Sequence, residues 1–242
     1  MEGQKEKNRG WLSQQLLEEN MMGPSSVVIL EELLKQHPLR PGMRVLDLGC
    51  GRGLTSLFLA KEYGVQVFAV DLWIPAEENL QRFREMGLED QIIPIHADAH
   101  ALPFAKGYFD AVVSVDSYHY FGNCDTYLQE YLLPFLQDGA AVALAFPGMK
   151  REVLGNVPEE MAPYWEEEAL QMWHSIDWWK PKMDKGLQDV RIWEMACFEK
   201  AWKDWLSTNN PYAIGDRAMM EADGGRFMNL VAITGKKAGE PA

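Results

Sequence analysis

Short apolar runs and helically spaced apolar positions alternate along most of this chain. Runs rich in β-branched and aromatic residues occur at Val45 to Leu48, Val65 to Val70, Gln91 to Ile95 and Phe109 to Val115. Three more follow, at Ala140 to Phe146, after Gly186 toward Trp193, and at Phe227 to Thr234. Between them, spacing near 3.6 predicts helices at Ser25 to Gln36, Thr55 to Tyr63, Ala76 to Met86 and Asp125 to Leu136. Pro24 suits the start of the first and Pro38 follows its end. Strands alternating with helices of these lengths imply right-handed crossovers and a parallel sheet. The expected class is α/β: a doubly wound, mostly parallel, seven-stranded sheet with helices on both faces. Ligands of such sheets sit at the carboxyl ends of the strands, near the point where the strand order reverses.

The first strand leads into the densest chemical signal, Val45-Leu46-Asp47-Leu48-Gly49-Cys50-Gly51-Arg52-Gly53. A strand ending in a carboxylate, a glycine turn and a helix start let backbone approach a ligand closely. The spacing is G-x-G-x-G. A dinucleotide turn has G-x-G-x-x-G with a pyrophosphate on the helix N-terminus, and a P-loop needs Gly-Lys-Ser/Thr, where this chain has Gly53-Leu54-Thr55. Asp47 beside the turn suits a cationic amino-acid group better than a pyrophosphate. These residues resemble the nucleotide-binding motif of class I S-adenosylmethionine (SAM)-dependent methyltransferases.

Three further segments follow that family's order. The second strand ends at Asp71, about 20 positions beyond the turn, where an acid is placed to bind ribose hydroxyls. NAD enzymes share this acid, so it supports the fold more than the cofactor. Asp98-Ala99, followed by Leu102-Pro103-Phe104, is similar to the family's adenine-binding segment. The resemblance implies that Asp98 binds the adenine amino group and that Ala99 offers its N–H to the ring. Phe109 to Asp116 matches the strand that opens onto the methyl-transfer site. The resemblance covers roughly residues 43 to 146 and implies a Rossmann-like sheet. Its implied cofactor-binding set is Asp47, Gly49, Gly51, Gly53, Asp71, Leu72, Asp98, Ala99 and Asp116. The aspartates at the strand ends are expected to face one crevice.

Composition narrows the partners. The chain has 242 residues, 47% hydrophobic and 24% charged, as fits one α/β domain with elaborations. A net charge of -13 repels nucleic acid, and no Lys/Arg cluster offsets it. No apolar run approaches the roughly 18 residues of a membrane span. Cys50, Cys124 and Cys197 have neither metal-ligand nor disulfide-framework spacing, which points to reduced thiols, a cytoplasmic location and no metal.

Methyl transfer from SAM needs an aligned acceptor, and a base only if the acceptor keeps a proton. The candidates follow the fourth strand. His119 is a possible base or a buried loop histidine, and Tyr118 and Tyr120 are placed to orient an acceptor or contact the methyl region. The remaining segments carry less specific signals. Residues 1–23 form a candidate lid over the cofactor, with Met21 and Met22 as soft packing residues, or a staple of the first helix. Residues 147–180 are an expected inserted lid in the C-terminal half, and residues 196–223 an expected helical insertion. Seven of the nine tryptophans lie between Trp165 and Trp205. They form core or interface, or an aromatic wall for an apolar, aromatic or cationic small-molecule acceptor. A homodimer through that surface is open. The leading expectation is a SAM-dependent methyltransferase acting on a small molecule. An NAD(P)-linked oxidoreductase and a non-catalytic SAM-binding module are the alternatives.

Overall fold

The strand runs are buried on both sides because the sheet they form is packed on both faces. The computed structural model describes residues 9–35, 39–153 and 155–239. In chain order the main elements are α1 (Gln14–Asn20), α2 (Ser26–Leu33), β1 (Arg44–Leu48), α3 (Leu54–Tyr63), β2 (Gln66–Asp71), α4 (Ala76–Glu85), β3 (Ile92–His96) and β4 (Phe109–Val115). They continue with β5 (Leu136–Met149), α5 (Glu167–Leu170), α6 (Ile176–Met183), β6 (Leu187–Glu194), α7 (Phe198–Leu206), α8 (Pro211–Asp223) and β7 (Met228–Lys237). The seven-stranded sheet has the order β3-β2-β1-β4-β5-β7-β6. Pairing is parallel from β3 to β5, and β7 runs antiparallel to both β5 and β6. The order reverses between β1 and β4, so the expected crevice opens at their carboxyl ends.

Alternation within the strands divides the core in two. Val45, Val67, Val113, Ala145 and Leu230 pack with Leu30, Leu57, Phe58 and Trp205 on one face. Leu46, Phe68, Val112, Phe146 and Val231 pack with Tyr127, Leu132 and Trp179 on the other. This period-two division inside continuous apolar runs is what a doubly covered sheet requires.

Several boundaries differ from the sequence expectation. The helix expected at Asp125 to Leu136 is a π-turn over Leu128–Leu132 followed by a 3-10 turn over Leu133–Phe135. Pro134 has no N–H to donate to an upstream carbonyl, so an α-helix cannot continue through it. Strand β5 starts at Leu136, which pairs with Phe109, four residues before the expected Ala140, with an irregularity before Ala141. Pro147 lies in β5 opposite Leu230 and does not open an insertion. The β4 pairing stops at Val115 opposite Ala145, so the missing N–H of Pro147 can be carried on the unpaired side. Helix α2 ends at Leu33, and residues 36–38 of its expected range, like residues 1–8 of the expected N-terminal lid, lie outside the described residues.

The tryptophan-rich half packs on both core faces, with α6 on the second and the rest mainly on the first. Met161, Trp165 and Leu170 are buried there with Trp202 and Phe227. Residues 196–223 form α7 and α8, and Glu32 in α2 accepts from the Ala196 and Cys197 N–H groups at 3.0 and 2.8 Å. The Ser25 N–H donates to Ala201 O at 3.0 Å, a second tie between α2 and α7. No helix among the described residues is long and apolar enough to cross a membrane.

Candidate active site

The glycine turn after β1 is held open by hydrogen bonds to its neighbouring strand. Gly49 and Cys50 donate their N–H groups to Val70 O at 2.8 and 3.0 Å. Gly51 donates to Asp71 Oδ2 at 2.8 Å, and Gly53 to Cys50 O at 2.9 Å. All three glycines have φ between 53° and 81°, a region that strains other residues. Four N–H groups of the turn are thereby engaged inside the protein. What the turn leaves open is space: a Cβ on Gly51 would meet only the Met22 side chain, with Sδ at 3.0 Å.

A cavity of about 280 Å³ lies above this turn. Gly49, Gly51, Asp71, Leu72, Asp98, Ala99, Asp116 and Tyr120 line it, so most of the sequence-expected set is brought together. Asp71 Oδ1 accepts from the Trp73 and Ile74 N–H groups at 2.8 and 2.9 Å, which fixes the chain as it leaves β2. Asp98 accepts from the N–H and ring of His100 at 2.8 and 3.0 Å, and these bonds lower its pKa. Asp116 sits just after β4 with φ 57°. Burial pushes its carboxyl up to about 7, and the charge of Asp216 on α8 adds to the shift. Burial followed by Asp116 and Asp216 raises the Tyr120 hydroxyl to about 12.

Four expected residues do not reach the cavity. Asp47 is fully buried, where its Oδ2 accepts from Thr55 Oγ1 and Ser56 Oγ, both at 2.6 Å. It ties β1 to the start of α3, and burial raises it to about 6. Gly53 is a packing position, since a Cβ there would lie 2.6 Å from the Phe83 ring. Tyr118 is fully buried against Phe146 and Trp179, and burial raises its hydroxyl far above the usual range. His119 is 2% exposed, its Nδ1 has no partner, and burial lowers it to about 3. In the 3-10 turn over Tyr118–Tyr120 only the third ring faces the crevice.

Other residues line the cavity that the sequence did not single out for it. Trp73 is one, 62% exposed with its ring edge to face on Tyr120 at 5.2 Å between centroids. The signal was its position two residues after Asp71. None of the seven tryptophans between Trp165 and Trp205 lines the cavity, nor does any described residue of 147–180. Asn20, Met22, Gly23 and Pro24 do, from the end of α1 and the link to α2.

A family described as a methyltransferase domain matches residues 45–133, from β1 through the segment after β4. Residues 45–133 thus carry the likeness of a methyltransferase domain, and the chain is similar there to the class I SAM-dependent methyltransferases. It is 31% identical to the methyltransferase GfsG of Streptomyces halstedii over 116 residues, 48% of this chain and 41% of that protein. It is 29% identical over 96 residues to the 27-O-demethylrifamycin SV methyltransferase of Amycolatopsis mediterranei, covering 38% of this chain and 34% of the relative. The chain therefore spans less than half the length of either. The fold of phosphoethanolamine N-methyltransferase 2 from Haemonchus contortus, solved with S-adenosyl-L-methionine, matches at a TM-score of 0.76. That match has 19% identity and covers 96% of this chain and 59% of the other.

The superfamily's cofactor is SAM, and the residues fit it. The open side of Gly51 admits a ligand, Asp71 and Asp98 stand on successive strand ends, and Asp116 lies past β4. Among the described residues, no group of three or more His, Cys, Asp or Glu is arranged to hold a metal ion.

Proposed function

We propose that this protein is a methyltransferase that transfers a methyl group from SAM to a small-molecule acceptor. The observation that carries the reading is the glycine turn tied to Asp71 at the floor of an acid-lined cavity. A dinucleotide site aims turn N–H groups at a pyrophosphate. Here the Gly49, Cys50, Gly51 and Gly53 N–H groups already donate to protein acceptors, and Asp98 and Asp116 would repel such an anion. The same carboxylates favour a cofactor carrying a sulfonium and an ammonium.

Bound SAM supplies an electrophilic methyl carbon on a cationic sulfur. The chain's contribution is to bind, orient and exclude water. Asp71 is assigned to the ribose hydroxyls, Leu72 to the apolar edge beside them, and Asp98 with Ala99 to the adenine. Gly49 and Gly51 admit the amino-acid end, and Asp116 faces the reacting end. Met22 and Gly23 cover the cavity from the N-terminal side. Orientation of two bound reactants can contribute about 7–11 kcal/mol to the rate. A catalytic role falls to Tyr120, which reaches the cavity, and away from His119 and Tyr118, which do not.

Calorimetric titration with SAM and with NAD, followed by incubation of labelled SAM with metabolite extracts, tests this. SAM binding with a methylated product is expected. Binding of NAD alone would establish the oxidoreductase reading instead. SAM binding without turnover across acceptor extracts would favour a non-catalytic module.

A further inference from the structure

Two exposed rings and an uncompensated carboxyl meet at the mouth of the crevice. Trp73 and Tyr120 stand edge to face, 62% and 45% exposed, although such large side chains are normally covered. Asp116 lines the same space, and no donor among the described residues pairs with its carboxyl. The backbone is arranged around that carboxyl. Its N–H donates to Ala145 O at 2.7 Å, and Gly23 is bare where a Cβ would lie 2.2 Å from Asp116 Oδ2. Asp216, held by Trp205 Nε1 at 2.8 Å, projects its field onto both Asp116 and Tyr120 from α8. Arg52, which also lines the crevice, donates from Nη1 to Glu19 O at 2.7 Å, and the His100 ring bonds Asp98 at 3.0 Å, so neither of these bonds reaches Asp116.

We infer, granting the methyltransferase reading, that the mouth framed by Trp73, Tyr120 and Asp116 is the acceptor subsite and binds an amine as its ammonium, which gives a proton to the Asp116 carboxylate before its nitrogen lone pair can take a methyl from SAM. A ring face attracts a cation through its quadrupole, and a carboxylate does so by charge. An anionic acceptor would face Asp116, Asp216 and Asp71 together. A neutral apolar acceptor would remove water from Asp116 and add no charge or hydrogen bond of its own to it. An ammonium group satisfies rings and carboxylates at once. Burial first, and the charge of Asp216 second, raise the Asp116 carboxyl. A carboxylate binds a cation only when ionised, so affinity rises as pH rises through about 7. Asp216 from α8 is the charged group that adds to burial in setting this response, and Asp71, Asp98, His100, Tyr120 and Arg52 line the same cavity.

The test titrates the full chain with tetramethylammonium chloride and, as a neutral probe of similar shape, tert-butanol. Ionic strength is held constant and tryptophan fluorescence or calorimetry is the readout. The ammonium probe is expected to bind at least about tenfold tighter than the alcohol. It should also bind several-fold tighter at about pH 8 than at about pH 6. Trp73→Ala and Asp116→Asn should each remove most of the preference. Asp216→Asn should weaken ammonium binding and shift the pH midpoint down, because one repelling neighbour of Asp116 is gone. Equal binding of the two probes overturns the inference, as does full preference in a folded Asp116→Asn protein. A parallel SAM titration separates the readings. Failure to bind SAM sinks the methyltransferase reading, whereas SAM binding with indifference to probe charge sinks the amine site alone.

Discussion

Asp71 Oδ2 accepts the N–H of Gly51 at 2.8 Å across twenty residues of chain, while its Oδ1 fixes the Trp73 N–H. One carboxylate thereby sets the cofactor turn and the aromatic rim on opposite sides of the same cavity. Its charge is assigned to ribose as well. Asp71→Ala should therefore weaken SAM binding by about 1.5–3 kcal/mol, the range for hydrogen bonds to a charged group. Asp71→Asn should be intermediate, because its amide NH₂ cannot accept from a backbone N–H. Calorimetry on variants with native circular dichroism checks both. Wild-type affinity in Asp71→Ala would remove Asp71 from the site.

The three glycines of the turn have different duties, so their variants should fail differently. Gly51→Val places a branched side chain toward the cavity and against Met22 Sδ, and should abolish SAM binding in a protein that still folds. Gly49→Ala brings a Cβ within 1.8 Å of Ser117 Oγ, and Gly53→Ala within 2.6 Å of Phe83. Those two should lower thermal stability first, by about 1–3 kcal/mol for an overpacked interior. Thermal melts with SAM titrations distinguish the classes. A Gly51→Val protein that binds SAM normally would refute the open-side geometry.

His119 is a stability group in this structure, and its pH signature follows from the sign of its shift. Its folded pKa is lowered to about 3 by burial, so below the unfolded value the unfolded chain takes up a proton that the folded chain refuses. Stability from neutral His119 is complete above about pH 6.5 and is lost as pH falls toward 3, by up to about 1.4 kcal/mol per unit. Asp47 and Asp116, raised to about 6 and about 7, act oppositely and lower stability as pH rises through those values. The wild-type curve sums these slopes. The diagnostic quantity is the difference between wild type and His119→Phe in urea unfolding at several pH values, and it should grow below about pH 6.5. The rate of methyl transfer should show no limb assignable to His119. A His119→Phe enzyme that folds well yet loses about 10²-fold or more in single-turnover rate would restore the histidine to the chemistry.

The N-terminal residues give a conformational prediction. Met22 lies over Gly51, and Gly23 closes on Asp116 without a side chain. Cofactor in the cavity should bury this stretch further, so proteolysis near Gly23 should slow in the presence of SAM. Gly23→Ala should reduce that protection by pushing on Asp116. Equal cleavage rates with and without SAM would show that residues 20–24 are a fixed staple of α2.

The sequence by itself determined the sheet, the turn and the strand-end acids, because each rests on local rules. Continuous apolar runs specify strands covered on both faces, glycines at 49, 51 and 53 specify a turn with positive φ, and Asp71 and Asp98 follow from their places at strand ends. Tertiary structure alone decided which way the side chains at those places point. Asp47 ends the same apolar run that opens the turn, yet it turns inward to Thr55 and Ser56, which offer its charge two hydroxyls where α3 starts. Tyr118, His119 and Tyr120 are consecutive and all polar-tipped, so composition cannot rank them. The 3-10 turn gives Tyr118 and His119 to the core beside Phe146 and leaves Tyr120 on the cavity. The tryptophan-rich half drew attention by composition, but its rings are divided between the two core faces and none of them lines the cavity. The exposed Trp73 reaches the site because Asp71 pins the backbone that carries it. Backbone path follows from short-range sterics and periodicity, while the facing of a side chain is settled only by what packs against it from distant parts of the chain.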